Sequence, residues 1–537
     1  MAPQIQTSRV FQHPANSFGM KFLLWAGLFA LAYSQAPLYY SNQNQYFLHG
    51  LAAADGGPLR EDWLANTASP TPAFDAVVSL TAEYGHAFAF HGYYAALLGV
   101  YWFSLVGLFD FLAAGRATPR RRLVFAAALM LVHSAVLRWA SYRLFQADYP
   151  CYFQGWLAAQ YVLGSVFQPS AFGVFLIAAI HQYVRRRPFA AVCLGIACLG
   201  HATYLLPAGI LAVTFAGLLA RERRWWKGAG MLGWSLALVL PVVIHAWVNF
   251  RPTTAEAFAE ASRILAEERI PHHCQPRQWF DGIAALQVAF VVAAIVLVRR
   301  TRLFPILAAL LLACVFLTVA QLATGNHSLA LLFPWRASVI LLPMATMIVL
   351  ARAVIAAGTW IESTPVTGLA LATIGGLALA GLGIMHFRQG FATNDAEEPL
   401  MAYVRANRRP GDVYLLPVTV PKLGEHRGAI SSDFKPLPEQ KTDRRVIPID
   451  FQRFRIGAGA PIYVDFKAIP YRDVDVLEWR RRVDWNAAVT KTGTATRAEL
   501  IGRGITHVVV PLDKAVAIDG LTVIWEDENY RLYRVGK

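Results

Sequence analysis

Charge is scarce in this chain. Asp, Glu, Lys and Arg make up 15% of its 537 residues, where an ordinary soluble domain holds roughly 25%. Hydrophobic residues fill 56%. A soluble fold cannot hide that much apolar surface, so lipid must solvate part of it. Disorder, a collagen repeat, a coiled coil and a disulfide scaffold are excluded. Five cysteines are too few for a disulfide framework. Cys193, Cys198 and Cys314 lie in apolar runs and read as small buried hydrophobes. Cys151 and Cys274 fall in expected outside loops, where pairing depends on a distance that sequence does not give. There is no P-loop, no GxGxxG after a strand, no HExxH and no GxSxG. No cleavable signal peptide is evident, because the first apolar run, about 21–40, is too long for one.

The net charge of +15 would suit nucleic acid, but the positions of the basic residues exclude it. Arg120-Arg121-Arg122, Arg185-Arg186-Arg187, Arg221/Arg223/Arg224/Lys227 and Arg299-Arg300/Arg302 sit in short clusters between apolar runs. That is the positive-inside pattern of a polytopic membrane protein.

A bilayer core of ~30 Å needs about 20 apolar residues in helix. About eleven runs qualify, near 21–40, 88–113, 123–143, 169–184, 188–203, 205–220, 228–249, 282–298, 303–322, 336–352 and 364–386. With residues 1–20 cytoplasmic, every Arg/Lys cluster falls inside. The loops 41–87, 144–168, 250–281 and 323–335 then lie outside, as does the tail 389–537. The expected fold is therefore an α-helical polytopic membrane domain over 21–388 with an extracytoplasmic α/β domain over 389–537. In loop 41–87 short interfacial helices are expected around 43–54 and 74–83. The tail predicts helices at 397–408, 473–484, capped by Asp473, and 496–503. Strands are predicted at 413–417, 461–466, 505–511, 521–526 and 530–535.

Most of the unusual chemistry falls in the outside segments. Asp62, beside Glu61 and flanked by Trp63 and a proline turn, places a carboxylate at the membrane surface. A general base needs such a placed group; the alternatives are a helix cap or a pair with Arg60. Gln160, Gln168, His201, Tyr204, Gln321 and Arg336 sit at expected outer helix ends, where polar groups are costly and so point to function. Arg336 could hold an anionic lipid phosphate bidentately or snorkel to headgroups. His201 and Tyr204 could instead hydrogen-bond between helices. Arg269, His272 and His273 offer donors to a phosphate, or form a solvated loop. The segments 451–455, 463–467 and 478–482 mix aromatic and basic side chains, a surface suited to sugars or phosphates or simply a solvated basic face. His272-His273-Cys274 lacks zinc spacing.

A first outside loop with a carboxylate, about eleven spans, outward polar helix ends and an outside α/β tail resemble the GT-C glycosyltransferases. The details resemble the bacterial DUF6798-type membrane proteins. The residues that carry this are Asn42-Gln-Asn-Gln-Tyr-Phe-Leu-His49, Asp62-Trp-Leu with Thr67 and Pro70-Thr-Pro72, Gln168-Pro-Ser, His201-Ala-Thr-Tyr-Leu-Leu206, Pro334-Trp-Arg336, and Val464-Asp-Phe-Lys467 with Pro470-Tyr471. The resemblance implies transfer of a sugar from a polyprenyl-phosphate carrier at the outer face of the bacterial inner membrane. It implies Asp62, with Glu61 as neighbour, as base or ligand to a divalent metal ion, and Arg336, with Arg269 or His273, on the lipid phosphate. One departure stands out: where many such enzymes carry an acidic pair after the first helix, this chain has Asn42-Gln43-Asn44-Gln45, and amides abstract no proton. Two rivals remain: a transporter or flippase for a lipid-linked or anionic substrate, and a non-catalytic scaffold of polysaccharide assembly.

Overall fold

The computed structural model describes residues 14–55, 57–387, 389, 391, 395–418, 420, 453–512 and 520–536. Residues 451 and 452 of the first aromatic-basic tail segment lie outside them.

The chain is a helical, multi-pass membrane protein with a small mixed sheet in its tail. Among the described residues, six helices are long and apolar enough to cross a bilayer: Ala89–Ala113, Ala202–Arg221, Trp225–Asn249, Leu303–Thr324, His327–Ala356 and Val366–His386. A seventh span results if Pro119–His133 and Ala135–Phe145 count together across their 47° bend. Ser134 makes that bend, since it ends one helix and its hydroxyl accepts from Leu137 N to cap the next. Four shorter apolar helices, Phe18–Tyr33, Pro169–Val184, Ala190–Gly200 and Gly282–Leu297, occupy the other expected positions. Of the eleven expected positions, six or seven thus carry helices of spanning length among the described residues. The 11 residues of Ala190–Gly200 reach only ~16 Å at 1.5 Å each, about half a bilayer core. The first helix also ends early, at Tyr33, because Ser34 turns left-handed with φ 69°.

Pro14–Tyr33 packs between Ala89–Ala113 and Val366–His386. Gly381 sets how closely: a Cβ there would stand 2.1 Å from the Leu31 carbonyl oxygen and 3.1 Å from Ala32 Cα. At one end of the bundle, acids tie basic loops together. Asp110 meets Arg122 and Arg185, Glu222 meets Arg302 and Arg186, and Glu362 meets Arg121. At the other end, the first loop, the 250–281 segment and the tail pack into one layer. The loop helices are Gln43–Tyr46, Leu48–Asp55 and Pro72–Tyr84, close to expectation. Ala261, Ile264 and Leu265 share a core with Val476, Trp479 and Val508 of the tail.

Among its described residues the tail holds four strands, β1 (Tyr414–Leu415), β2 (His507–Pro511), β3 (Leu521–Glu526) and β4 (Tyr530–Val535), in the order β1-β2-β4-β3. Only β1 and β2 run parallel. Both faces of β2 are covered. Val508 and Val510 face the long helix Asp473–Thr492, and Val509 faces Leu400, Val404 and Phe454. The strand expected at 461–466 is only a single bridge from Ile462 to Tyr414. Pro461 has no N–H to give a ladder, and the Ile462 N–H goes to Asp62. Asp473 does not cap its helix; Arg472 holds that place, and the Asp473 carboxylate accepts from Thr253 N and Oγ1. Cys151 and Cys274 are both buried and no disulfide joins them.

Gly381→Ala should lower thermal stability, since a clash with backbone cannot relax by a rotamer change; overpacking costs about 1–3 kcal/mol. Gly383, where a Cβ meets nothing within 4 Å, is the control. Gly383→Ala should be neutral or slightly stabilising. Thermal unfolding of both variants in detergent checks this.

Candidate functional site

Two polar centres lie in the layer formed by the first loop and the tail. The first is built on Asp62. The short 3-10 turn Pro58–Glu61 ends there, and the Asp62 side chain is 0% exposed. One carboxylate oxygen accepts from Leu64 N at 2.9 Å and Ala65 N at 3.4 Å. The other accepts from Arg455 Nε at 2.8 Å and Ile462 N at 3.0 Å. No face of the group is left open. Arg455, 2% exposed, also donates from Nη1 to Asp465 at 2.7 Å. Burial works against the charge on Arg455, but Asp62 and Asp465 outweigh it and hold its pKa above the ordinary value. Asp465 in turn accepts from Ala468 N at 2.6 Å, closing the turn that presents Phe466 and Lys467. Glu61 faces the tail separately, accepting from Gly411 N at 2.6 Å.

The second centre is built on Arg336. The 3-10 turn Pro334–Ala337 precedes a long helix and places Arg336 in the interior, 8% exposed. Its Nη1 donates to Gln160 Oε1, and its guanidinium lies 4.7 Å from the centroid of the Tyr204 ring. Its Nε and Nη2 are buried without a hydrogen-bond partner, and among the described residues Arg336 makes no ion pair. A buried guanidinium in that state lacks an anion.

Around it stand His201, Tyr46 and His273, with Tyr471 beside Tyr46. The Tyr46 and His201 rings are 6.0 Å apart, edge to face. The charge of Arg336 acts on Tyr46 and His273, as does that of Arg269. Burial pulls the His273 pKa down to about 4, with Arg336 and Arg269 adding to the effect against its hydrogen bond with the Ala158 carbonyl. Burial also raises the pKa of Tyr471, whose hydroxyl accepts from Gln45 Nε2 at 3.3 Å. Arg269 lies under the tail turn. Its Nε and Nη2 both donate to the Lys467 carbonyl, and it sits 5.6 Å from the Phe466 ring centroid. Lys467 Nζ reaches Ser41 Oγ at 3.3 Å.

The structure thus brings together Arg336, Arg269, His273, His201 and Tyr204. His272 lies beside His273, their rings 4.2 Å apart. Gln168 is buried before Pro169 with its Oε1 unpartnered, and makes no hydrogen bond to Arg336. Asp62 and Glu61 form the other centre. Among the described residues no group of three His, Cys, Asp or Glu side chains is placed to hold a metal ion. Sequence reasoning missed Arg455, Asp465, Lys467, Tyr46 and Tyr471 as individual site members. The available signal was Asp465, a lone acid inside the apolar run Ile462–Phe466.

Residues 439–485 match the sequence profile of a domain of unknown function, DUF6798. That stretch contains Arg455, Asp465, Lys467 and Tyr471. No curated protein matches. Among solved structures, ArnT from Cupriavidus metallidurans bound to undecaprenyl phosphate aligns over 97% of this chain and 98% of its own, with a TM-score of 0.42 and 11% identity.

Two predictions follow from these geometries. Arg455→Met leaves Asp62 as an uncompensated buried charge and should cost about 3–5 kcal/mol. The double variant Asp62→Asn/Arg455→Met should recover much of that loss, as read by chemical denaturation. For His273, the folded-state pKa of about 4 lies below the ordinary 6.5. The unfolded chain then binds the extra proton between those values, so stability falls as pH drops from 6.5 towards 4. Asp75 opposes this, because burial raises its carboxyl to about 6, and that contribution is lost as pH rises through 6. The difference between wild type and His273→Gln cancels the Asp75 part and should show a shallower acid loss in the variant.

Proposed function

We propose that this protein binds a polyprenyl-phosphate-linked sugar in the layer between its helical bundle and its tail, and transfers the sugar to an acceptor on the same face. The observation that carries the reading is Arg336: buried, without a counter-ion, with two guanidinium donors unpartnered. A phosphate fits both donors in parallel. Tyr204, Tyr46 and His201 would supply ring faces and hydroxyls beside it. Arg269 and Lys467 would add positive potential from the tail turn. The membrane is proposed to be the bacterial inner membrane, with the tail and first loop on its periplasmic side, and the resemblance of the span, loop and tail arrangement to GT-C glycosyltransferases supports transfer as the reaction.

In this reading the enzyme contributes positioning and stabilisation of charge developing on the departing phosphate. Asp62 serves as a clasp for the tail turn and not as the proton acceptor, since its four lone-pair directions are filled. Glu61 anchors the same loop at Gly411. Asp62's commitment to Arg455 also favours a second reading, in which the chain binds the same lipid without turning it over.

Purified full-length protein in nanodiscs should bind undecaprenyl phosphate by native mass spectrometry. Arg336→Gln should weaken binding roughly 10–100-fold, the scale of hydrogen bonds to a charged group, and Arg336→Lys, a point charge without the fork, should fall between. Lipid extracts of a deletion strain decide between the readings. Accumulation of one glycosylated carrier indicates transfer, and an unchanged carrier profile with Arg336-dependent binding indicates the non-catalytic role. Equal binding by wild type and Arg336→Gln overturns both.

A further inference from the structure

The opposite end of the bundle carries a basic surface that the proposed function does not use. The acids there are already engaged. Glu222 bridges Arg302 at 2.6 Å and Arg186 at 4.0 Å, Asp110 bridges Arg122 and Arg185, and Glu362 holds Arg121. Glu222 is the one acid in the connection between Leu205–Arg221 and Trp225–Asn249. Its side chain faces the neighbouring loops, and its own neighbours, Arg221, Arg223, Arg224 and Lys227, make no ion pair among the described residues. Arg221, Arg223 and Lys227 are exposed.

Trp225 and Trp226 lie in the same turn, 67% and 90% exposed. They open the helix Trp225–Asn249, which packs on Ala190–Gly200 and Leu205–Arg221 along one side and leaves its other, apolar face exposed. Exposed tryptophan at the end of a spanning helix settles at headgroup level. Four cations beside two such rings therefore stand in the plane of lipid phosphates, next to a helix whose outer apolar face is left to acyl chains.

We propose that Arg223, Arg224 and Lys227, with Trp226, form a docking site for an anionic glycerophospholipid of that leaflet. The cations hold the headgroup phosphate, and the helix face of Trp225–Asn249 receives the acyl chains. Each juxtamembrane cation is worth about fivefold in affinity for an anionic surface, so three together are worth roughly 100-fold.

The test uses delipidated full-length protein in detergent, titrated with phosphatidylglycerol or phosphatidylcholine and read by native mass spectrometry. Wild type should retain phosphatidylglycerol over phosphatidylcholine. Arg223→Gln/Arg224→Gln/Lys227→Gln should lose that preference roughly 100-fold, Trp226→Ala should weaken it less, and the charge-keeping Arg223→Lys/Arg224→Lys should retain it. The last variant separates loss of charge from loss of fold. Equal retention of the two lipids by wild type, or an unchanged preference in the triple glutamine variant, overturns the proposal. So does displacement of phosphatidylglycerol by millimolar inorganic phosphate, which would make the site one for a free anion. None of these residues touches the Arg336 centre, so failure here leaves the lipid-carrier reading standing.

Discussion

The ion pair between Asp62 and Arg455 ties the first loop to the tail. Both side chains are removed from water, so neither charge could persist without the other. The pair is saturated: two backbone amides complete one Asp62 oxygen, Ile462 completes the other, and Asp465 takes the second arm of Arg455. From Asp465 the chain turns directly into Phe466 and Lys467, which meet Arg269. Removing the clasp would therefore release the turn that closes one side of the Arg336 centre, although Asp62 itself contacts no member of that centre.

The two centres divide a problem that a single site could not solve. Asp62 is neutralised by design of its surroundings, whereas Arg336 is left with open donors inside a mostly apolar setting. An unpaired buried charge is unstable unless something completes it. Gln160 and the Tyr204 ring soften that cost without removing the charge. The arrangement favours an anion entering from the layer and disfavours a cation.

Much of the helical architecture was legible from hydrophobic run length, and the loop helices from the apolar and aromatic content of 41–87. What run length could not give is where a helix stops short. His201 and Ser34 break apolar stretches through backbone geometry that composition does not record. The tail's period-2 strands were readable at 505–511, 521–526 and 530–535, yet 461–466 was misread, because its apolar alternation serves contacts to Asp62 and the tail core and not a ladder. For the site, single residues with intrinsic cost in a membrane, Arg336 above all, could be picked from sequence. Their partners could not, since Arg455 lies 393 positions from Asp62 and Gln160 lies 176 from Arg336, and no local pattern encodes such pairings.

That 393-residue separation also bears on how the protein is made. At roughly 5–20 residues per second, a ribosome needs on the order of 20–80 s after Asp62 emerges before Arg455 exists. Throughout that interval the early loop has no counter-charge and must stay hydrated, so it cannot be sealed against the bundle. Closure is then a late, long-range event that follows insertion of the helices, and the final quarter of the chain acts as the finishing piece for a segment synthesised near its start.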